Sequence, residues 1–206
     1  MEVPEWQKWL NEQRAQSKMV VEEIPLTSVE PPWGMQIDGN YRREPPGYFN
    51  IHGLRIRTSP EAKPWTQPVL AETGKGYIVL VESVSDGTTL LRTRQEPGNP
   101  ASKNYVLLGS TLQTSETNLK SNPPYAEILS KYDVRTFDIP QDGNRFYQKV
   151  NKYGVLRVPS QKEITLRPDA RWFNDSEVYE AVLYGETNEF LLQVLSFRHS
   201  LRNLGI

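Results

Sequence analysis

The 206-residue chain contains no cysteine. Disulfides and thiolate metal sites are therefore excluded. Histidine is almost missing as well, with only His52 and His199 present. A zinc site built mainly from His or Cys is ruled out. A Ser-His-Asp triad would have to draw on one of those two rings, one in mid-strand and one on the last helix. Neither sign of charge prevails: 24 Lys and Arg stand against 25 Asp and Glu, a formal net of −1. That balance argues against a nucleic-acid partner. No apolar run approaches the roughly 20 residues of a membrane helix, and Met1-Glu2-Val3-Pro4-Glu5 lacks the apolar core of a signal peptide. HExxH, P-loop and GxGxxG patterns are all missing, so no ATP or nicotinamide site is indicated. The expectation is a cytoplasmic protein with no cofactor, no metal, and no membrane partner.

What the chain does have is turns. It carries 16 Pro and 13 Gly, spread along its length. These predict many loops and short strands rather than a helical bundle. Hydrophobic residues make up 37% and charged residues 24%, ordinary values for a globular protein. With no repeat, low-complexity tract or composition break, one domain over residues 1–206 is expected.

Periodicity places the elements. Residues 4–16 read as a helix opened by Pro4, with Trp6, Trp9, Leu10 and Gln13 on one face. That face docks on the sheet or on a partner subunit. The segment Pro25–Pro46 reads as a long loop whose Trp33 and Tyr41 either stack on a flat ring or cover the core edge. Residues 47–57 form a strand bulged at Gly53, with Arg55 and Arg57 on the face opposite Leu54 and Ile56. A loop follows through Pro60, Pro64 and Pro68. Residues 77–84 and 89–93 flank Ser85-Asp86-Gly87-Thr88 as a hairpin, in which Asp-Gly suits a primed turn. A short helix over 124–131 precedes strands at 134–139, 145–150 and 154–158. Asn174 and Glu177 form a capping-box pattern for a helix to Leu183 closed by Gly185. Thr187 opens the final helix, with Phe190, Val194, Phe197, Leu201 and Leu204 in one stripe. The fold class is α+β, a curved, largely antiparallel sheet flanked by helices.

One stretch stands out. Glu96-Pro97-Gly98-Asn99 is a rigid turn that fixes the directions of the Glu96 carboxylate and the Asn99 amide. After the apolar run Tyr105–Leu108, strand alternation puts Thr111, Gln113 and Ser115 on one face. Such a row either reads a polyhydroxylated ligand or is a solvated edge strand.

The same stretch resembles the most recognisable segment of the NDP-hexose 2,3-dehydratase family, which has EPGN followed by a PTVQAT-SNY-like segment. Four further pieces resemble the family and keep its order: Trp9-Leu10-x-Glu12-Gln13; Gly47-Tyr48-Phe49-x-Ile51-x-Gly53-Leu54-Arg55-Ile56; Trp65-Thr66-Gln67-Pro68-Val69-Leu70; and Gly143-Asn144-Arg145-Phe146-x-x-Lys149-x-Asn151. The resemblance covers almost the whole chain. It implies a Nudix-like fold, although the Nudix hydrolase helix with its metal-binding Glu pairs has no counterpart. It also implies elimination of the C2 hydroxyl of an NDP-4-keto-6-deoxyhexose in deoxysugar or natural-product biosynthesis. That chemistry needs a base for the C3 proton, donors for the C4 oxygen and an acid for the leaving hydroxyl. By residue type and motif position, Glu96 is the candidate base, Tyr125 the candidate acid, and Lys149 or Arg145 the cation for the enolate or diphosphate. Gln113 and Asn118 would orient sugar hydroxyls, with Arg55, Trp65, Gln67, Asn99, Thr111 and Asn151 as further substrate contacts. Dehydratases of this family commonly hold two such modules in one chain, so a homodimer imitating that arrangement is expected. The chain departs from the family pattern at Glu116, where Arg is usual, and at Leu119, where Tyr is usual. A non-catalytic nucleotide-sugar-binding module, or one acting on a different substrate, is the alternative.

Overall fold

Cross-strand pairing divides the strands between two sheets. The computed structural model describes all residues except 1, 46, 48, 73, 100–104 and 206. Tyr48 at the head of a predicted strand, Pro46 at the end of a predicted loop, and residues 100–104 inside the motif stretch thus lie outside the described residues. The chain falls into two compact units, one of Met1–Val21, Gly76–Phe137 and Lys152–Ile206, the other of Glu22–Lys75 and Asp138–Asn151. The α+β class is as expected. Among the described residues no helix is long and apolar enough to cross a membrane.

The second unit is built on a five-stranded sheet. Its strands are β1 (Trp33–Met35), β2 (Tyr41–Arg43), β3 (Phe49–Ile56), β4 (Trp65–Glu72) and β10 (Phe146–Tyr147), in the order β1-β2-β3-β4-β10. Three expectations fail here. The supposed loop around Trp33 and Tyr41 is a hairpin, with Trp33 opposite Arg43 and Met35 opposite Tyr41. The two rings stack on one another, centroids 6.1 Å apart. β3 pairs with β4 without interruption from Phe49 to Ile56, so Gly53 is not a bulge; it faces Pro68 across the ladder. Residues 65–68, read as loop because of their prolines, begin β4. Pro68 is tolerated there because β10 reaches only Leu70 and Ala71 on the other side of β4, so no ladder bond from residue 68 is needed on that edge.

The larger sheet lies mainly in the first unit. It runs β12 (Ala170–Asn174), β6 (Thr88–Gln95), β5 (Gly76–Ser83), β11 (Val150–Val158), β9 (Thr136–Pro140), with β7 (Val106–Gly109) added to β6 and β8 (Leu112–Ser115) added to β5. The β5–β6 hairpin forms, but Ser83 pairs with Thr88. The connection is therefore Val84-Ser85-Asp86-Gly87, the expected four residues moved back by one. Asp86 closes it by accepting from Ser85 Oγ and from the Gln161 N–H. The predicted strand 145–150 is broken by Gln148, whose φ is +53°; β10 ends at Tyr147 and β11 begins at Val150.

Alternation puts Val79, Val81, Leu90, Leu112, Leu156 and Val158 into one core, closed by Tyr125, Ile128, Ile164 and Ala170. Each such aliphatic side chain contributes roughly 1.5–3 kcal/mol through burial. Helices pack within this unit: α1 (Glu5–Gln16), α4 (Asp175–Leu183) and α5 (Glu189–Asn203), besides the single turns α2 (Glu116–Leu119) and α3 (Ile128–Lys131). α1 buries Trp6 and Leu10 completely. Trp6 Nε1 donates to Glu180 of α4 at 3.0 Å, and Trp9 meets the edge of Phe173 of β12. The tryptophan face is thus covered by its own unit, not left for a partner subunit. α4 has the expected capping box between Asn174 and Glu177. α5 is capped by Asn188, not Thr187, and buries Leu191 and Val194.

Candidate active site

The chain reverses after α4 at Gly185, whose φ of +70° a Cβ would strain. The next three residues form a strap on β7. Leu108 N–H donates to the Glu186 carbonyl at 2.8 Å, and Asn188 N–H donates to the Leu108 carbonyl at 2.9 Å. Arg14, buried on α1, pairs with Glu186 and donates to the Val106 carbonyl, fixing the strap from the other side.

The strap delivers Asn188 to a defined place. Its Oδ1 accepts from Leu191 N–H at 2.9 Å and caps α5. That leaves Nδ2 to face outward, and its two protons match two acceptors. One is Glu96 Oε1 at 2.6 Å; the other is Gln113 Oε1 at 3.0 Å. Glu96 itself is half-buried. Its backbone is held at both ends, N–H to the Tyr105 carbonyl at 2.7 Å and carbonyl from Asn99 N–H at 3.1 Å. Gly109 makes the approach possible: a Cβ there would lie 2.4 Å from Arg94 Cγ and 3.3 Å from Asn188 Nδ2.

Two residues before Glu96 on the same strand face lies Arg94. It is half-buried, and burial, with the charge of Arg92 second, pulls it below its ordinary pKa; Glu96 and Asp169 oppose this. Arg92, Thr93, Arg94 and Gln95 line a cleft of about 450 Å³ with Gln13, Gln16, Ser17, Val106 and Asp169. Glu96 adjoins this stretch but is not among the residues of the cleft wall.

The expected site residues are only partly gathered. Glu96 and Gln113 come together through Asn188. Asn99 stays in the Glu96 turn. Asn118 sits on α2, where its N–H bonds Ser115 Oγ at 3.2 Å. Thr111 is fully buried; its hydroxyl donates to the Leu90 carbonyl and accepts from Val81 N–H, bridging β5 and β6 rather than facing a ligand. Tyr125 is also buried, its hydroxyl accepting from Arg167 N–H at 3.1 Å and its ring beneath Arg92. Burial raises its pKa above the ordinary tyrosine value, so the phenol keeps its proton.

Arg55, Trp65, Gln67, Arg145, Lys149 and Asn151 all belong to the other unit. Trp65 and Arg55 are exposed. Gln67 Nε2 donates to the Asn144 carbonyl. Arg145 pairs with Asp142 at 2.8 Å. Asn151 donates to Gln141 at 3.2 Å. Lys149 is buried, pairing with Glu72 at 2.7 Å and donating to the Gly74 carbonyl at 3.1 Å, both within that unit.

Sequence reasoning missed Asn188 and Arg94. Asn188 was within reach, since Asn is at least as good an N-cap as Thr, and Arg94 alternates with Glu96.

Similarity to known proteins agrees with the motif stretch. A family model described as NDP-hexose 2,3-dehydratase matches residues 4–190. A protein of Saccharopolyspora spinosa named dTDP-4-dehydro-6-deoxy-alpha-D-glucopyranose 2,3-dehydratase is 26% identical over 210 residues, covering 95% of this chain. A protein of the same name from Streptomyces violaceoruber is 33% identical over 144 residues, covering 65% of this chain. The chain spans only 41% and 32% of the lengths of these two relatives. Among solved structures, a crystal structure of an ADP compounds hydrolase aligns with a TM-score of 0.49 at 10% identity, covering 76% of this chain and 88% of its own.

Proposed function

Because this chain belongs to the NDP-hexose 2,3-dehydratase family, we propose that it is a cytoplasmic hydro-lyase acting on a nucleotide-linked 4-keto-6-deoxyhexose, with residues 1–206 as one catalytic module. The substrate we name is dTDP-4-keto-6-deoxyglucose, in keeping with the names of the two relatives. The observation that carries the reading is Glu96: a half-buried carboxylate on a rigid turn, aimed by Asn188 and next to Gln113.

The C4 ketone acidifies the C3 proton. Glu96 takes that proton, and charge moves to the C4 oxygen. The C2 hydroxyl then leaves with the proton that Glu96 has taken, as one molecule of water; Tyr125, closed inside the core, takes no part. The enol left between C2 and C3 ketonises. Gln113 holds a sugar hydroxyl. No step calls for a hydride acceptor or a covalent nucleophile. Loss of the C2 hydroxyl during incubation with this substrate tests the reading; a substrate recovered intact contradicts it.

Asn188→Asp gives a sharper check on how Glu96 is aimed. The aspartate keeps an oxygen to cap α5 but replaces the Nδ2 donor with a second carboxylate against Glu96. Two carboxylates this close do not both ionise at the usual pH. Turnover at neutral pH should fall and recover as pH rises, so the acid limb of kcat/KM moves up by roughly one unit or more. An unmoved acid limb would mean that Asn188 does not govern the base.

A second reading, a nucleotide-sugar-binding module without turnover, is favoured by Glu116 and Leu119 standing where the family has Arg and Tyr. Either protein works as a homodimer in our proposal. With the tryptophan face of α1 covered, the surface for it is the outer side of α4, where Tyr179, Leu183 and the C-cap Tyr184 are each about two-thirds exposed. Light scattering should give a mass near twice the 23.7 kDa chain; a single-chain mass at micromolar concentration refutes it.

A further inference from the structure

Lys149 and Arg145, the cations expected to meet the substrate's negative charge, are tied to Glu72 and Asp142. Arg94 is not tied in this way. Among the described residues it makes no hydrogen bond or ion pair, although neighbouring charges act on it. Its half-buried guanidinium stands in the cleft wall, and its five donors match phosphate oxygens in a way a lysine does not.

The cleft that Arg94 lines has a second unmet group. Asp169 Oδ2 accepts from Arg92 at 2.6 and 3.1 Å. Its Oδ1 is buried with no hydrogen-bond partner, and its ion pair with Arg167 Nε is long, at 3.6 Å. One wall of the cleft therefore offers an unused cation, the other an unused acceptor, with the amides of Gln13, Gln16 and Gln95 around them. A volume near 450 Å³ suits a small ligand. The stem of Arg94 packs at Gly109 beside Asn188, the residue that aims Glu96, so an anion seated on Arg94 lies on the same strand face as the carboxylate.

We propose that this cleft seats the diphosphate of a nucleoside diphosphate, with Arg94 as its main cation and Asp169 Oδ1 accepting from a hydroxyl or N–H of the same ligand. The inference rests on the nucleotide-sugar reading above, and it assigns the diphosphate to residues that the motif stretch did not point to. Arg92 adds charge but is half neutralised by Asp169.

Calorimetric titration with inorganic pyrophosphate and with dTDP tests it, using the whole chain. Wild type should bind both, and Arg94→Gln should weaken both by about tenfold or more. Arg94→Lys should recover part of the loss, because the charge remains while the fork does not. Asp169→Asn should act in the opposite sense and tighten pyrophosphate several-fold, a result that does not depend on Arg94→Gln folding well. Unchanged affinity in both Arg94→Gln and Asp169→Asn overturns the assignment. So does a wild type that binds neither probe. Turnover of the keto sugar nucleotide, measured separately on wild type, decides whether the enzyme reading falls with it or stands alone.

Discussion

Glu96→Gln should lower kcat by about 10²–10⁴-fold and leave KM within a few-fold. The substitution removes basicity and keeps size. The glutamine Oε1 still accepts from Asn188 Nδ2, so the strap, the cap of α5 and the Glu96 turn have no reason to move. The backbone bonds of residue 96 to Tyr105 and Asn99 are untouched. A loss confined to kcat is what removal of a group acting only in the transition state looks like. Turnover surviving within a few-fold, in a protein with an unchanged melting temperature, would show that another residue takes the proton.

The second large effect is on stability, in the other unit. Lys149→Met should destabilise that unit by about 3–5 kcal/mol, because it leaves the carboxylate of Glu72 buried and unpaired. The Lys149 and Glu72 side chains are 3% and 10% exposed, so water does little to compensate. On a typical total of 5–15 kcal/mol such a loss is large. The double variant Glu72→Leu with Lys149→Met removes both charges and should return most of the stability. If the single variant melts like wild type yet loses turnover, Lys149 is a catalytic cation and the structural role is wrong. If the double variant is stable and active, the pair serves packing alone.

Local chemistry was the part of this fold that could be read directly from the residues. Asn174 and Glu177 announce the start of α4 because a capping box is a pattern within four residues. Glu96-Pro97-Gly98-Asn99 announces a turn for the same reason. The Asp86-Gly87 reversal and its length were legible, but its register was off by one residue, since the pairing of Ser83 with Thr88 is set by the ladder. Pro64 and Pro68 hid β4: proline argues locally for a loop, and only the short reach of β10 along β4 makes Pro68 harmless. Gly53 looked like a bulge because its partner was unknown; that partner is Pro68.

The site was less legible than the fold. Glu96 and Gln113 were found through the motif, but the residue that joins them lies 92 positions from Glu96. No spacing rule reaches that far. Asn188 acquires its place from the strap on Leu108, a pairing of a parallel bridge with no sequence signature. Lys149 and Thr111 misled in the opposite way. Their types suit binding, yet each is buried and partnered inside the protein. Arg94 carries one local signal, its spacing of two residues from Glu96 at the end of β6.

The account stands or falls on proton removal at C3. The direct measurement is incubation of the chain with dTDP-4-keto-6-deoxyglucose in deuterated water, followed by NMR of C2 and C3. The prediction is loss of the C3 proton, with deuterium entering C2 as the enol ketonises, or entering C3 of recovered substrate if departure of the hydroxyl is slow. Glu96→Gln should show neither. A C3 proton retained by wild type through long incubation, or washed out equally fast by Glu96→Gln, would contradict Glu96 as the base at the centre of this site.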